Sequence, residues 1–139
     1  MLQRIQTIWL LLAATCALLT LKVSFYSGNV LVNNQRKFEY LTAMNGGMLL
    51  LIFTVTAAVA SLIIIFLYKD RKLQLKLTIA AIALGIINIA LFFSATDQYA
   101  EGNYDITAPV VIAVPVLLIL AARGMYKDEK LVKSVDRLR

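Results

Sequence analysis

Three neighbouring carboxylates are the residues of this chain best placed to do chemistry. Asp97, Glu101 and Asp105 follow one another at intervals of four in a short polar segment. Such carboxylates could bind a cation or serve as an acid and base pair. Acids in a solvated loop usually do neither, because catalysis also needs a pocket and a fixed geometry. A membrane enzyme that uses these carboxylates is therefore the weakest of the functions considered below.

Other reactive groups are scarce. The chain has no histidine, which removes the commonest general base, proton shuttle and metal ligand. Its single cysteine can form neither an internal disulfide nor, without histidine, a familiar zinc site or a Cys-His nucleophile. Glycine-rich phosphate loops are also absent from the sequence. We expect no catalytic residues, no metal site and no cofactor, and hence a protein that is not an enzyme.

Long uncharged intervals dominate the rest of the sequence. The chain is 60% hydrophobic and 16% charged, and four intervals of 17, 29, 20 and 17 residues carry no charge. A helix needs about 17 to 25 apolar residues to cross a bilayer. The pattern predicts an all-α integral membrane protein, an antiparallel four-helix transmembrane bundle. We predict a membrane domain over residues 1–126, with spans at about 5–22, 45–67, 77–95 and 106–122, and a cytoplasmic amphipathic tail over 127–139. The first span is expected to be a retained helix and not a cleaved signal peptide.

The basic residues predict the orientation. Eleven of the 14 lysines and arginines lie near the termini or between the second and third spans. By the positive-inside rule, this distribution puts both termini in the cytoplasm, and we expect a multi-pass protein of the bacterial inner membrane. Six of these residues are expected to meet anionic lipid headgroups at the membrane surface: Arg4, Lys69, Arg71, Lys72, Lys76 and Arg123.

Within the spans, Asn88 is the most conspicuous polar residue. An amide is costly to leave unpaired in lipid, so we expect a hydrogen bond between helices in preference to a ligand contact. Two pairs of small residues, Ala57 with Ser61 and Ala81 with Gly85, should permit close helix packing.

The sequence predicts the structure of the segments expected outside the membrane less definitely. Ser27-Gly28-Asn29 resembles a turn between two short strand-like runs, which predicts a small β-hairpin on the outer face, and an irregular loop is nearly as compatible. Gly102-Asn103 favours a second turn in the other outer segment.

The two ends of the chain resemble a known family. MLQRIQTIWLLLA at residues 1–13 and KDEKLVKSVDRLR at residues 127–139 are similar to the termini of a Bacteroidota membrane protein family catalogued as domain of unknown function 4293. The resemblance implies four spans and an uncharacterised role, and it supplies no catalytic residues. It also implies that Gln3, Arg4, Gln6 and the tail belong to the family pattern.

The tail can also be interpreted physically. As a helix it places Leu131, Val135 and Leu138 at i, i+4 and i+7, with Val132 beside them. This narrow apolar stripe, together with Arg137 of the tail motif, forms the predicted contact surface for a partner.

The function that follows is an expectation. We favour a non-enzymatic accessory or structural subunit of a membrane complex, in contact with the lipid bilayer and with protein partners through its tail and outer loops. The alternative is a small binding or transport protein for an apolar or lipid-like ligand between the helices. No nucleic acid partner is expected, because the acidic residues of the tail weaken its basic character.

Overall fold

The computed structural model describes residues 2–32 and 35–136. Four helices and three strands follow in chain order. The helices are α1 (Leu2–Leu19), α2 (Met48–Phe66), α3 (Arg71–Thr96) and α4 (Pro109–Asp136), and the strands are β1 (Tyr26–Val32), β2 (Gln35–Leu41) and β3 (Tyr99–Tyr104). β1 and β2 follow α1, and β3 connects α3 to α4.

The helices pack side by side, with α1 and α3 each in contact with both α2 and α4. The three strands lie at one end of the helices, which we call the sheet end. The beginning of α1 and the end of α4 lie at the opposite end, which we call the tail end. Three helical stretches within the described residues are long and apolar enough to cross a membrane: Met48–Phe66, Arg71–Thr96 and Pro109–Val132. The apolar stretch of α1, Ile5–Leu19, is shorter.

Small side chains fill the interface between the helices. Ala13, Ala17, Ala58, Ala81 and Ala121 are almost fully buried in one cluster. The predicted pairs of small residues lie inside, as expected, since all four members are buried. These residues let the helix backbones approach closely, which is how helices associate when no hydrophobic effect drives them together.

The outer surface of the helices is strongly apolar. Large side chains such as Ile8, Leu49, Phe66, Ile79 and Ile112 are exposed, while the polar side chains of Thr54, Ser61, Thr78 and Asn88 lie inside. A water-soluble domain of this kind would place its leucines and isoleucines inside and its polar groups outside. The polarity of these helices is the reverse.

A three-stranded antiparallel sheet covers the sheet end, in the order β2-β1-β3. β1 pairs with β2 from Tyr26 opposite Leu41 to Val32 opposite Gln35. β3 pairs with the other edge of β1, with an irregularity between Asn29 and Val30. The sheet is larger than the predicted hairpin, because the segment between α3 and α4 contributes a strand.

Both predicted turns were wrong in position. Ser27-Gly28-Asn29 lies within β1, and Gly102-Asn103 lies within β3. The reason is close contact between strands, since Gly28 and Gly102 face each other across the sheet. A Cβ atom added at Gly28 would lie 2.7 Å from the Cα of Gly102. The glycines therefore permit strand pairing, and the connection between β1 and β2 lies at positions 33–34, outside the described residues.

Aromatic side chains join the sheet to the helices. Phe25 is buried, and its ring centroid lies 5.0 Å from that of Phe92 on α3 and 5.7 Å from that of Tyr104 on β3. Leu41 and Leu50 belong to the same buried cluster. Tilted and edge-on ring pairs at these distances are favourable beyond the area they bury. This packing fixes the sheet on the helix ends.

Candidate functional site

Asn88 forms the hydrogen bond between helices that was expected of it. Thr54 Oγ1 of α2 donates to Asn88 Oδ1 at 3.2 Å, and Asn88 Nδ2 donates to Thr54 Oγ1 at 3.1 Å. Both residues are buried, so the pair satisfies polar groups that water could not reach. The amide is thus committed to holding α2 and α3 together.

A second buried polar pair joins α1 to α4 at the tail end. Gln6 Nε2 donates to Asp128 Oδ2 at 2.5 Å, and the two residues are 5% and 9% exposed. Gly124, one turn before Asp128 on the same face of α4, makes room for this contact. A Cβ atom added there would lie 2.9 Å from Gln6 Cγ. Gln6, Gly124 and Asp128 therefore form one packing unit between the two terminal helices.

Two further buried side chains stabilise the tail end. Gln74 Nε2 of α3 donates to the Ile64 carbonyl oxygen at 3.1 Å, near the end of α2. The same oxygen also accepts the backbone N–H of Leu67 at 3.2 Å, so the bond from Gln74 adds a second donor and links the end of α2 to α3. Thr78 Oγ1 donates to the carbonyl oxygen of Gln74 at 2.8 Å and lies 3.5 Å from the sulfur of Met125. The interior polar groups thus connect the helices.

The two faces of the sheet differ sharply. Residues directly opposite each other in an antiparallel pair share a face, so Tyr26, Leu41 and Tyr104 lie on one face, and this face packs on the helix ends. The opposite face, here the aromatic face, consists of Ser27, Asn29, Leu31, Arg36, Phe38, Tyr40, Glu101 and Asn103.

Large apolar side chains stand exposed on the aromatic face. Leu31 is 59% exposed, Phe38 57% and Tyr40 54%. The rings of Phe38 and Tyr40 meet edge to face with centroids 5.1 Å apart. The aromatic face therefore presents three large exposed apolar side chains on β1 and β2, set among polar residues. Exposed apolar surface often marks an interaction site.

The three carboxylates considered above lie apart from one another at the sheet end. Asp105 Oδ1 accepts a hydrogen bond from Ser27 Oγ at 2.9 Å, whereas its Oδ2 is buried and finds no hydrogen-bond partner among the described residues. Glu101 pairs with Arg36 across the sheet at 3.6 Å, and Asp97 is exposed at the end of α3. Within residues 2–32 and 35–136 there is no group of three or more acidic or cysteine side chains able to hold a metal ion.

Two ionisable groups near the packed face of the sheet have shifted pKa values. A hydrogen bond from Lys37 to Glu39 raises the pKa of Lys37, and the attraction of the opposite charges adds to it. Burial raises the pKa of Tyr99, and the negative charge of Glu39 contributes further. Lys37 therefore remains a cation and Tyr99 remains neutral at physiological pH.

The family is decided by a match over almost the whole chain. The family model described as Domain of unknown function (DUF4293) matches residues 2–138. The chain belongs to the DUF4293 family. No curated protein and no solved structure shows significant similarity to it. The resemblance noted at the two ends of the sequence is thus confirmed for the family.

The predicted contact residues of this DUF4293 chain are partly described. Leu131 and Val132 are 55% and 45% exposed on α4, which runs without interruption through the predicted boundary between membrane domain and tail. The side chain of Val135 lies outside the described part of the chain, and so do Arg137 and Leu138. An exposed apolar pair at the end of α4 is what the structure establishes.

The predicted surface cations lie at the tail end. Lys69, Arg71, Lys72, Lys76 and Arg123 are all exposed there, and the side chain of Arg4 lies outside the described residues. Sequence reasoning overlooked the unit of Gln6, Gly124 and Asp128. Its only signal was the spacing of Gly124 and Asp128 by one helical turn together with the family pattern at Gln6.

Proposed function

We propose that this chain is a non-enzymatic accessory or structural subunit of a membrane complex in the bacterial inner membrane. In this proposal α1 to α4 form an antiparallel four-helix transmembrane bundle with both termini in the cytoplasm. The protein contacts its partners through the aromatic face and through the exposed end of α4. No nucleic acid partner is expected.

The reversed polarity of the helices supports insertion in a bilayer. Large aliphatic side chains are exposed along all four helices, and the interior polar groups are hydrogen-bonded to one another or to backbone carbonyls. Lipid tails solvate the former without cost, and the latter would be expensive if left unpaired. The shorter apolar stretch of α1 is compatible with a span if its flanking polar residues reach the interface.

The charge distribution supports the orientation. The tail end carries most of the basic residues, whereas the sheet end carries Glu39, Asp97, Glu101 and Asp105. The positive-inside rule then assigns the tail end to the cytoplasm. The aromatic face would lie on the opposite side of the membrane.

Topology can be tested by cysteine labelling. In a Cys16→Ala background, Lys37→Cys and Ser134→Cys place single thiols at exposed positions of opposite ends. A membrane-impermeant maleimide added to spheroplasts should label position 37 and leave position 134 unlabelled until the membrane is permeabilised. Labelling of position 134 in sealed spheroplasts would contradict the orientation.

One observation carries the accessory role: the exposed apolar surface of the aromatic face. A sheet that only covered the helix ends would need no large apolar side chains on its other face, and this sheet exposes three there. A partner that covers the exposed side chains of Leu31, Phe38 and Tyr40 lowers the free energy of the complex by about 25 cal/mol for each Å² of apolar area buried. Aromatic residues are also enriched where binding energy concentrates in interfaces.

Photo-crosslinking offers a matched test of this surface. A photoreactive phenylalanine analogue at position 38 lies on the aromatic face, and the same analogue at position 37 lies on the opposite face of β2. Both native side chains are exposed, so accessibility is comparable. We expect a discrete adduct from position 38 and none of that mass from position 37. Equal adducts from both positions, or none from position 38, would refute the contact surface.

The end of α4 needs a different test from deletion of residues 127–139. That deletion would remove Asp128 and so disturb the packing of α1. Leu131→Ser with Val132→Ser retains Asp128 and changes only exposed positions. Loss of co-purifying protein in this variant, with an unchanged thermal midpoint, would support a contact there, and unchanged co-purification would exclude it.

The alternative function is a small binding or transport protein for an apolar or lipid-like ligand between the helices. Asn88 is the polar side chain between the helices that could have bound such a ligand. Because the amide oxygen and nitrogen of Asn88 are both engaged by Thr54, the interior lends this alternative no support.

A further inference from the structure

A groove lies between α3 and α4 toward the tail end. Leu75, Ile79 and Ile82 of α3 and Ile119 and Ala122 of α4 form its apolar walls. Its volume is about 540 Å³, within the range of about 300 to 1,000 Å³ typical of ligand pockets. The groove opens on the outer surface of the helices, away from the buried Asn88.

Basic side chains line one end of the groove. Arg123, Lys127 and Lys130 occupy positions i, i+4 and i+7 of α4 and therefore share a helix face. Like charges at these spacings repel one another. Within the described chain, no carboxylate forms a salt bridge with any of the three. Asp128 lies on a neighbouring face of α4, where it accepts the hydrogen bond of Gln6.

Apolar and basic portions follow each other along α4. Ile119 and Ala122 precede the three cations, and Lys130 lies 11 residues beyond Ile119, which corresponds to about 16 Å along a helix. An anionic phospholipid has the same division, with acyl chains at one end and a charged phosphate at the other. The basic end of the groove is also the end where the exposed Arg71 and Lys72 begin α3.

We propose that this groove binds an anionic phospholipid. One acyl chain lies against Ile79, Ile82 and Ile119, and the phosphate lies among Arg123, Lys127 and Lys130. The inference rests on the membrane insertion proposed above and is independent of the aromatic face.

Charge complementarity decides the occupant. A zwitterionic lipid carries its own ammonium group beside the phosphate, so it neutralises the three cations less well than a lipid with net negative charge. A second copy of this chain would bring its own basic tail end toward the groove and be repelled. Basic pockets between transmembrane helices on the cytoplasmic side are known to suit anionic headgroups.

Native mass spectrometry of the full-length protein tests the proposal. The protein is released from nanodiscs containing equal amounts of phosphatidylglycerol and phosphatidylethanolamine. We expect a one-lipid adduct enriched in phosphatidylglycerol. In Lys127→Gln/Lys130→Gln the adduct should fall by about 30-fold, at about 1 kcal/mol per basic residue and 1.4 kcal/mol per factor of ten. The matched control Lys22→Gln/Lys37→Gln removes two exposed lysines at the sheet end, which do not line the groove, and should leave the adduct unchanged.

A second pair of variants tests the apolar part. Ala122→Trp fills the groove, whereas Ala80→Trp adds the same ring at an exposed position of α3 outside it. We expect the lipid adduct to be lost in the first and retained in the second. The proposal would be overturned if both lysine pairs lost the lipid adduct equally, if the adduct showed no preference between the two lipids, or if Ala122→Trp retained it. It would also be overturned if the wild-type protein formed a dimer that the groove variants abolished, since a second copy would then occupy the groove.

Membrane fractionation separates this proposal from the one on which it rests. If carbonate washing leaves every variant in the membrane pellet while the lipid adduct fails to appear, the groove proposal is wrong and insertion stands. If the wild-type protein itself is washed from the membrane, insertion is wrong.

Discussion

Separating Gln6 from Asp128 should loosen the contact between α1 and α4. Both side chains are more than 90% buried, and the donor and acceptor lie 2.5 Å apart. Replacing Asp128 with alanine removes a charged acceptor and leaves the amide of Gln6 in a site that water hardly reaches. The variant therefore loses a hydrogen bond and also retains the desolvation cost of the unpaired donor.

Two ranges of measured hydrogen-bond free energies bound the expected loss of stability. Hydrogen bonds to charged groups contribute about 1.5 to 3 kcal/mol in soluble proteins. Bonds between transmembrane helices contribute less, about 0.6 kcal/mol on average and up to about 1.7. Because Asp128 lies near the end of α4 and both groups are nearly inaccessible, we expect a coupling of about 1.5 kcal/mol in a double-mutant cycle of Gln6→Ala and Asp128→Ala.

Reversible unfolding in mild detergent measures this coupling. Asp97→Ala is the matched control, since Asp97 is exposed and its negative charge at the C-terminal end of α3 is mildly unfavourable. The control should leave stability unchanged or raise it slightly. A coupling below about 0.5 kcal/mol, the usual limit of additivity, would refute the view that this pair holds the terminal helices together.

Three further predictions follow from buried contacts. Gly124→Ala should destabilise the protein, because the new Cβ lies 2.9 Å from Cγ of Gln6 and must displace it. This loss should outweigh the gain of about 1 kcal/mol in helix propensity from glycine to alanine. A rise in the thermal midpoint of the variant would contradict this expectation. Thr54→Val should lower the free energy of unfolding by about 1 kcal/mol more than Asn88→Leu does. Valine at position 54 leaves the amide of Asn88 unpaired, whereas in Asn88→Leu the hydroxyl of Thr54 can bond to the backbone of its own helix. Unfolding of the two single variants measures the order. Gly28→Ala should detach β3 from β1 without unfolding the helices, which hydrogen exchange would show as lost protection confined to the sheet.

The helices were predictable because a long apolar stretch between charges depends on local composition alone. The four predicted spans overlap the four helices, and α4 begins at Pro109, whose missing N–H is tolerated in a first helical turn. Asn88 was also predictable in outcome, since a buried amide must find some partner. Its actual partner, Thr54, is 34 positions away and could not be chosen from the sequence.

The sheet was less predictable because local turn signals competed with strand pairing. Gly28 reads locally as a turn residue, yet its role is to admit the backbone of β3, which lies more than 70 positions later in the chain. The unit of Gln6, Gly124 and Asp128 escaped for the same reason, because Gln6 and Asp128 are separated by 122 positions. Contacts between distant segments decide both features, and periodicity cannot reveal them.

The continuity of α4 affects the entropy of any association at its end. Pro109 to Asp136 form one helix of 28 residues, and Asp128 is bonded to Gln6 within it. A disordered tail would lose about 1 to 2 kcal/mol of backbone entropy for each residue that ordered on binding. Leu131 and Val132 stand on a helix whose backbone is already ordered by folding. A partner that docks there meets a preorganised surface, so that even a small apolar contact retains most of its binding free energy.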